Sequence, residues 1–185
     1  MWTTKRLQAN LLSLDDTKAY LDFELRNKER FAMGEGERDY SFDAFRQRVE
    51  GKIEELCHGA GYPVVFRLKG ESPIAVTVFL SGIIRGPFQS CYIGWSCEGS
   101  LEGKGYAREA VGEVLVRAFT TLSLHRVEAN IVPENARSIA LAKACGFRYE
   151  GFSPSYLCIR GHWREHQHWV LLNEAYDRPD PAPGA

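Results

Sequence analysis

Three glycines, Gly99, Gly103 and Gly105, punctuate the stretch between a strand-like run at residues 89–97 and a helical pattern at residues 106–122. Strand, glycine loop and helix in that order make a place for an anion. Glycine lets the backbone come close to a phosphate and adopt positive φ, and the first N–H groups of a helix have no intrahelical partner. The helix dipole adds positive potential at the same end. The amides of Gly103, Lys104, Gly105, Tyr106, Ala107 and Arg108 are therefore offered to a pyrophosphate, with the Lys104 and Arg108 side chains adding charge at its rim. The pattern is not Gly-x-Gly-x-x-Gly, because Arg108 stands at the third glycine position, and no Lys-Ser/Thr follows to make a P-loop. Dinucleotide and nucleoside-triphosphate chemistry both lose ground.

Other polar groups carry weaker signals. Asn135 and Ser138 stand three apart at the start of a helical pattern at residues 135–145, on one face near its N-terminus, and Asn135 is a good N-cap. His162, His166 and His168 invite a metal reading, since the last two share a strand face, but no Asp or Cys ligands support it and no metal is expected. Cys145 precedes the helix-ending Gly146 and has no histidine base close in sequence, so it reads as a buried thiol rather than an acyl-carrying nucleophile.

The elements that must position these groups follow from hydrophobic period. Residues 6–12 alternate as a first strand, and Asp15 or Asp16 caps a helix in which Ala19, Tyr20, Phe23 and Leu25 recur. A second helix starts at the Ser41 cap and carries Phe42, Phe45, Val49, Ile53 and Leu56. Between them lies an acidic loop with Glu35, Glu37 and Asp39. Residues 62–68, 73–82 and 89–97 read as an antiparallel meander, followed by helix 106–122, strand 125–132, helix 135–145, strand 147–151 and a strand pair from 155 to 172. Strands first and alternation later make a mixed α/β layer. The 185 residues, 44% hydrophobic, suit one domain at residues 1–177, with a loose Pro-rich tail at 178–185. A net charge of -1 gives no general field for nucleic acid or an anionic membrane, so neither is expected as a direct partner. The N-terminal stretch lacks an apolar h-region, no run of about 18 apolar residues occurs, and five cysteines without C-x-x-C spacing suit a reducing compartment, so a cytoplasmic location is expected.

Four motifs in order, Gly103 to Ala110, Leu124 to Ala129, Pro133 to Ser138 and Cys145 to Gly151, resemble the GNAT superfamily of N-acetyltransferases, and within it the RimJ/RimL type ribosomal-protein-alanine N-acetyltransferases. The resemblance is strongest over residues 92–172. It implies a bent, mostly antiparallel seven-stranded sheet with about four helices, splayed as a V between the fourth and fifth strands, with acetyl-coenzyme A in the cleft. Ile93, Gly94, Trp95 and Ser96 would pair with the pantetheine arm as an added strand would, residues 103–108 would hold the pyrophosphate, Asn135 would touch the coenzyme, and Ser138 would protonate the departing thiolate. Ser100 replaces the Gln or Arg that the superfamily often has three residues before the first loop glycine.

The implied reaction is direct attack of a neutral amine on the thioester through a tetrahedral oxyanion, with coenzyme A as product. An α-amine of pKa about 7.7–8.0 is neutral to roughly a sixth at pH 7, whereas a lysine at about 10.4 is almost wholly charged. An α-amine acceptor therefore tolerates a poor base, which suits a chain without an unmistakable one. Glu128, if it faces the cleft, would relay a proton through water, and Tyr156 would act as proton donor or cleft wall. The glutamate that some relatives place after the Glu150–Gly151 turn is replaced by Ser153, Pro154, Ser155 and Leu157. The resemblance implies that the acceptor is a protein N-terminus such as that of a ribosomal protein, and the acidic loop and Glu102 would border its mouth and favour a basic peptide. Alternatives are a small amine (polyamine, amino acid or aminoglycoside) or a non-catalytic acyl-coenzyme A module, and the chain is expected to be a monomer or homodimer.

Overall fold

The computed structural model describes residues 1–31, 39–159 and 161–175. The tail at 178–185, Glu35 and Glu37 lie outside the described residues. The period-2 stretches build eight strands: β1 (Trp2–Thr3), β2 (Leu7–Leu11), β3 (Tyr62–Leu68), β4 (Ile74–Ile84), β5 (Ser90–Cys97), β6 (Arg126–Ile131), β7 (Arg148–Ile159) and β8 (His162–Leu172). They form one sheet in the order β1-β2-β3-β4-β5-β6-β8-β7. All neighbours are antiparallel except β5 and β6, which are parallel. A parallel pair needs a long crossover, and α4 (Tyr106–Thr120) supplies it.

Both faces of the sheet are covered. On one, Ala110, Val111, Val114 and Ala118 of α4 bury against Val64, Val76, Val78, Ile93 and Val127, with α5 (Ala136–Ala144) alongside. On the other, α1 (Thr17–Arg26) and α3 (Phe42–Cys57) bring Tyr20, Leu21, Phe23, Phe45 and Val49 onto Val65 and Ile74. Ser41 caps α3, its hydroxyl accepting from the Ala44 amide at 3.3 Å.

The expected mixed sheet stands with eight strands rather than seven, because β1 adds a two-residue edge. Residues 152–154, left between two expected strands, are absorbed into continuous β7, whose register with β8 shifts between Ser153 and Leu157, where Ser155 takes φ of 50°. Five α-helices form among the described residues rather than four, since α1 is followed at Asn27 by the short α2 (Lys28–Phe31). Asp16 does not cap α1 through its side chain. Its carboxylate instead accepts from Ser13 and Arg67, tying the start of α1 to β3. Leu25 and Phe42 are exposed, so the buried stripe of α1 runs through Leu21 and that of α3 begins at Phe45.

The feature that positions the site is a short pairing. Ser90, Cys91 and Tyr92 pair with Arg126, Val127 and Glu128, and there the register ends. Beyond it β5 continues against β4 alone and β6 against β8 alone, so the sheet opens as a V.

Candidate active site

The glycine loop has the backbone its composition demands. Gly103 and Gly105 have φ of 69° and 80°, and Gly105 is the N-cap of α4. A Cβ at Gly103 would meet nothing within 4 Å, so this glycine serves conformation and open approach. Gly99 serves another purpose: a Cβ there would lie 2.7 Å from Arg30 Nη1. Arg30 reaches from α2 to the Cys97 carbonyl at 3.3 Å and pairs with Glu102, while Asn27 Oδ1 accepts the Gly99 amide at 2.9 Å.

Behind the loop, Arg6 donates to the Lys104 carbonyl at 2.8 Å and lies over the Tyr106 ring at 4.1 Å. Its Nε donates to Glu109 at 2.7 Å, and Glu109 also accepts from the Arg6 amide and Thr4. Burial alone would raise the Glu109 pKa, but hydrogen bonds from Thr4 and Arg6 outweigh it and hold the carboxyl below its ordinary value. Lys104 and Arg108 are exposed, so the loop presents their charges at its rim.

From this loop, the β5 edge freed beyond Tyr92 leads along residues 93–96 to the apex of the V. Ile93 is buried toward α4 and Trp95 packs near Phe147, at 6.4 Å between centroids, while a Cβ at Gly94 would meet nothing. An extended chain of amides fits such an edge, whose main-chain groups face the gap. Asn135, just after β6, caps α5 by accepting the Ser138 amide at 3.1 Å. Ser138 is half-buried in the first turn of α5.

At the apex, Glu128 and Tyr156 come together in one polar cluster. Strand alternation turns Val127, Ala129 and Ile131 into the core and Arg126, Glu128 and Asn130 to the opposite face. The register Asn130↔His168 sets His168 of β8 beside them. His168 Nδ1 lies 2.5 Å from Asn130 Oδ1 and 3.2 Å from Glu128 Oε1, and its Nε2 lies 2.8 Å from Ser153 Oγ. Arg126 donates to Glu128 at 2.8 Å and to Glu150 at 2.7 Å. The Tyr156 hydroxyl accepts from Asn130 at 3.2 Å. Burial, followed by the Tyr92 hydroxyl beside it, pushes the Tyr156 phenol up to about 12, so it keeps its proton at neutral pH.

The remaining expectations are settled piecemeal. Glu102 is engaged by Arg30 and Arg137, so its charge is not free for an acceptor. Burial pushes the Cys97 thiol up to about 11 and raises Cys145, against the pull of Arg108, which suits inert thiols. His166 is buried beside Tyr156, and burial lowers its pKa. Among the described residues no three His, Cys, Asp or Glu side chains converge as a metal set. Tyr92, Asn130, Ser153 and His168 are the apex residues that sequence reasoning missed. The available signal was Glu128-x-Asn130 facing His166-x-His168, polar pairs at period 2 in otherwise apolar strands.

Comparison with known proteins adds the family. Residues 6–148 match the acetyltransferase (GNAT) domain. The [ribosomal protein uS5]-alanine N-acetyltransferase of Escherichia coli is 34% identical over 186 residues, covering 98% of this chain and 93% of that protein. Among solved structures, the ribosomal-protein-S5-alanine acetyltransferase of Vibrio fischeri superposes with a TM-score of 0.88 at 28% identity, covering 96% of this chain and 98% of the other. RimJ of Mycobacterium smegmatis, in complex with a coenzyme A disulfide, gives 0.84 at 28% identity over 91% of this chain and 82% of its own. The glycine loop, the opened strand edge and these likenesses agree: the chain belongs to the GNAT acetyltransferase family, N-acetyltransferases that use acetyl-coenzyme A.

Proposed function

We propose that this N-acetyltransferase acetylates the N-terminal α-amine of a protein, a ribosomal protein being the substrate class that the relatives' chemistry suggests. The observation that carries this reading is the end-to-end match to an alanine N-acetyltransferase of a ribosomal protein, with no large part of either chain left over. The apex adds a chemical argument. It holds carboxylate, imidazole and phenol but no unpaired strong base, which suffices for an amine already partly neutral at pH 7.

Acetyl-coenzyme A, when bound, supplies an acyl group activated as a thioester. Residues 103–108 hold the pyrophosphate on backbone amides, and Lys104 and Arg108 screen its charge. Ile93, Gly94, Trp95 and Ser96 align the pantetheine arm along the free edge of β5, and Asn135 borders it from the start of α5. Ser138 gives a proton to the leaving sulfur, and Tyr156 walls the acceptor side. Together these residues fix the distance between amine and thioester, the largest contribution a site of this kind makes.

The test is a panel of peptides beginning Ala, Ser, Thr and Lys, run beside spermidine and kanamycin with acetyl-coenzyme A and thiol release as readout. A peptide beginning with Ala or Ser is expected to exceed both small amines in kcat/KM by at least about tenfold, the size of one lost well-made contact set. Preference for spermidine or kanamycin would replace this acceptor, and coenzyme binding without turnover of any amine would replace the enzyme reading.

A further inference from the structure

The contacts of His168 form a line: Glu128 carboxylate, imidazole, Ser153 hydroxyl. We infer that His168 is the proton acceptor of this enzyme, with Ser153 passing the acceptor amine's proton to it and Glu128 serving as its positioning residue rather than as the base. The inference rests on the reading of the V apex as the place where an amine meets the thioester, and it holds for any amine turned over there.

Geometry fixes the imidazole tautomer. Nδ1 faces only acceptors, Asn130 Oδ1 at 2.5 Å and the Glu128 carboxylate at 3.2 Å, so Nδ1 carries the hydrogen. Asn130 is itself oriented, because its amide nitrogen donates to the Tyr156 hydroxyl at 3.2 Å. The Nε2 lone pair is then left to accept from Ser153 Oγ at 2.8 Å. His168 and Glu128 side chains are only 16% and 14% exposed, so the ring is largely shielded from solvent and Nε2 has the Ser153 hydroxyl as its partner. A base held by a carboxylate on one nitrogen and facing a hydroxyl with the other is the arrangement that makes a weak base useful.

The groups that face the ring come from β5, β6, β7 and β8. From β6 and β7, Arg126 is shared by Glu128 and Glu150, which leaves one negative charge among the three. Tyr156 of β7, whose phenol keeps its proton at working pH, lies edge-on to the ring at 4.9 Å, with the Tyr92 hydroxyl of β5 beside that phenol. On β8, His166 is buried with its pKa lowered by that burial, and Arg164 is paired with Glu134 at 3.1 Å.

The step balances without another reactant. The acceptor ammonium gives one proton to Ser153 Oγ as that hydroxyl passes its own to His168 Nε2, leaving a neutral amine, an unchanged serine and an imidazolium. As the amine nitrogen bonds to the acyl carbon and the carbon–sulfur bond breaks, the second nitrogen-bound proton replaces the one that Ser138 gives to the sulfur, so that serine too ends unchanged. The imidazolium returns its proton to solvent before the next turnover.

Two measurements on the full chain test this, one without turnover. Imidazole 15N NMR of the protein alone, with the His168 signal assigned by its loss in His168→Gln, is expected to show the Nδ1–H tautomer, and Glu128→Gln to mix the two tautomers. In kinetics with whichever amine is turned over, His168→Gln is expected to lose about a hundredfold in kcat/KM, to keep coenzyme A affinity within threefold, and to lose the acidic limb of the pH profile. Ser153→Ala, a half-buried site that does not threaten folding, is expected to fall at least tenfold in kcat with KM little changed, and Ser153→Thr to recover most of it. An Nε2–H tautomer, activity within threefold in Ser153→Ala, or an acidic limb intact in His168→Gln overturns the inference. A wrong acceptor class would show instead in the amine panel, with the tautomer and pH profile unaffected.

Discussion

Glu109 shows how one side chain can set a phosphate loop from behind. It holds Arg6, whose guanidinium braces the Lys104 carbonyl and the Tyr106 ring, without facing the ligand side itself. Glu109→Ala is expected to cost about 2 kcal/mol in denaturant unfolding, the size of a lost charged hydrogen-bond set, and to weaken coenzyme binding. Its pH signature has a definite sign. Because the folded pKa lies below the ordinary carboxyl value, its contribution is fully present above that ordinary value and disappears as pH falls through the folded one. Asp16, held low against its burial by Ser13 and Arg67, behaves the same way. Unfolding measured from pH 7 to pH 3 should therefore fall less steeply in Glu109→Gln than in the parent. Neither partner was legible from the sequence, since Arg6 and Glu109 lie 103 residues apart and only the β2–β3 and α4 packing joins them. Ser138 and Asn135 were legible because a cap is a local property, visible in four residues.

At the scale of elements, the start of α4 depends on two glycines in the left-handed region. Gly105→Val adds backbone strain of about 1–2 kcal/mol and sets a branched side chain against Arg6, whose Nη2 would lie 3.4 Å from the new Cβ. Coenzyme A affinity by calorimetry is expected to drop at least tenfold while the circular dichroism spectrum is kept. The strand that feeds this helix makes a complementary statement. Amides of residues 93–96 that face the gap have no strand partner on that side, so they should exchange with deuterium faster than those of Ser90 to Tyr92 and slow markedly when coenzyme A is added. These elements were readable because glycine placement and period 2 act within a few residues. The line from Glu128 through His168 to Ser153 was not, because it joins positions 40 and 15 apart through strand register, and a one-residue slip would have turned His168 to the core. The same histidines suggested a metal only while their partners were unknown. The break expected at residues 152–154 did not form for a related reason, since the long β8 partner carries that stretch as a bulge within one strand.

At the scale of the whole molecule, and among the described residues, the sheet has an asymmetric cover: α4 and α5 close one face, while α1 and α3 pack mainly on β3 and β4 on the other. Phe23 and Phe45 are the fully buried aromatic side chains of the second layer. Phe23→Ala is expected to lower stability by about 4 kcal/mol, read from the denaturant midpoint, and also to loosen Asn27 and Arg30 against the loop at Gly99. All five cysteines are free, so reductant is expected to leave the melting temperature unchanged. The two halves of the sheet meet through three residue pairs between β5 and β6, a narrow seam for strands of eight and six residues. A ligand that lies in the gap acts as a keystone, and mass action then makes thermal stability a gauge of occupancy. At a hundredfold excess over Kd it should contribute about 2.7 kcal/mol, so a melting curve that climbs with the logarithm of acetyl-coenzyme A concentration would report how far the enzyme's own architecture stays unfinished until its co-substrate arrives.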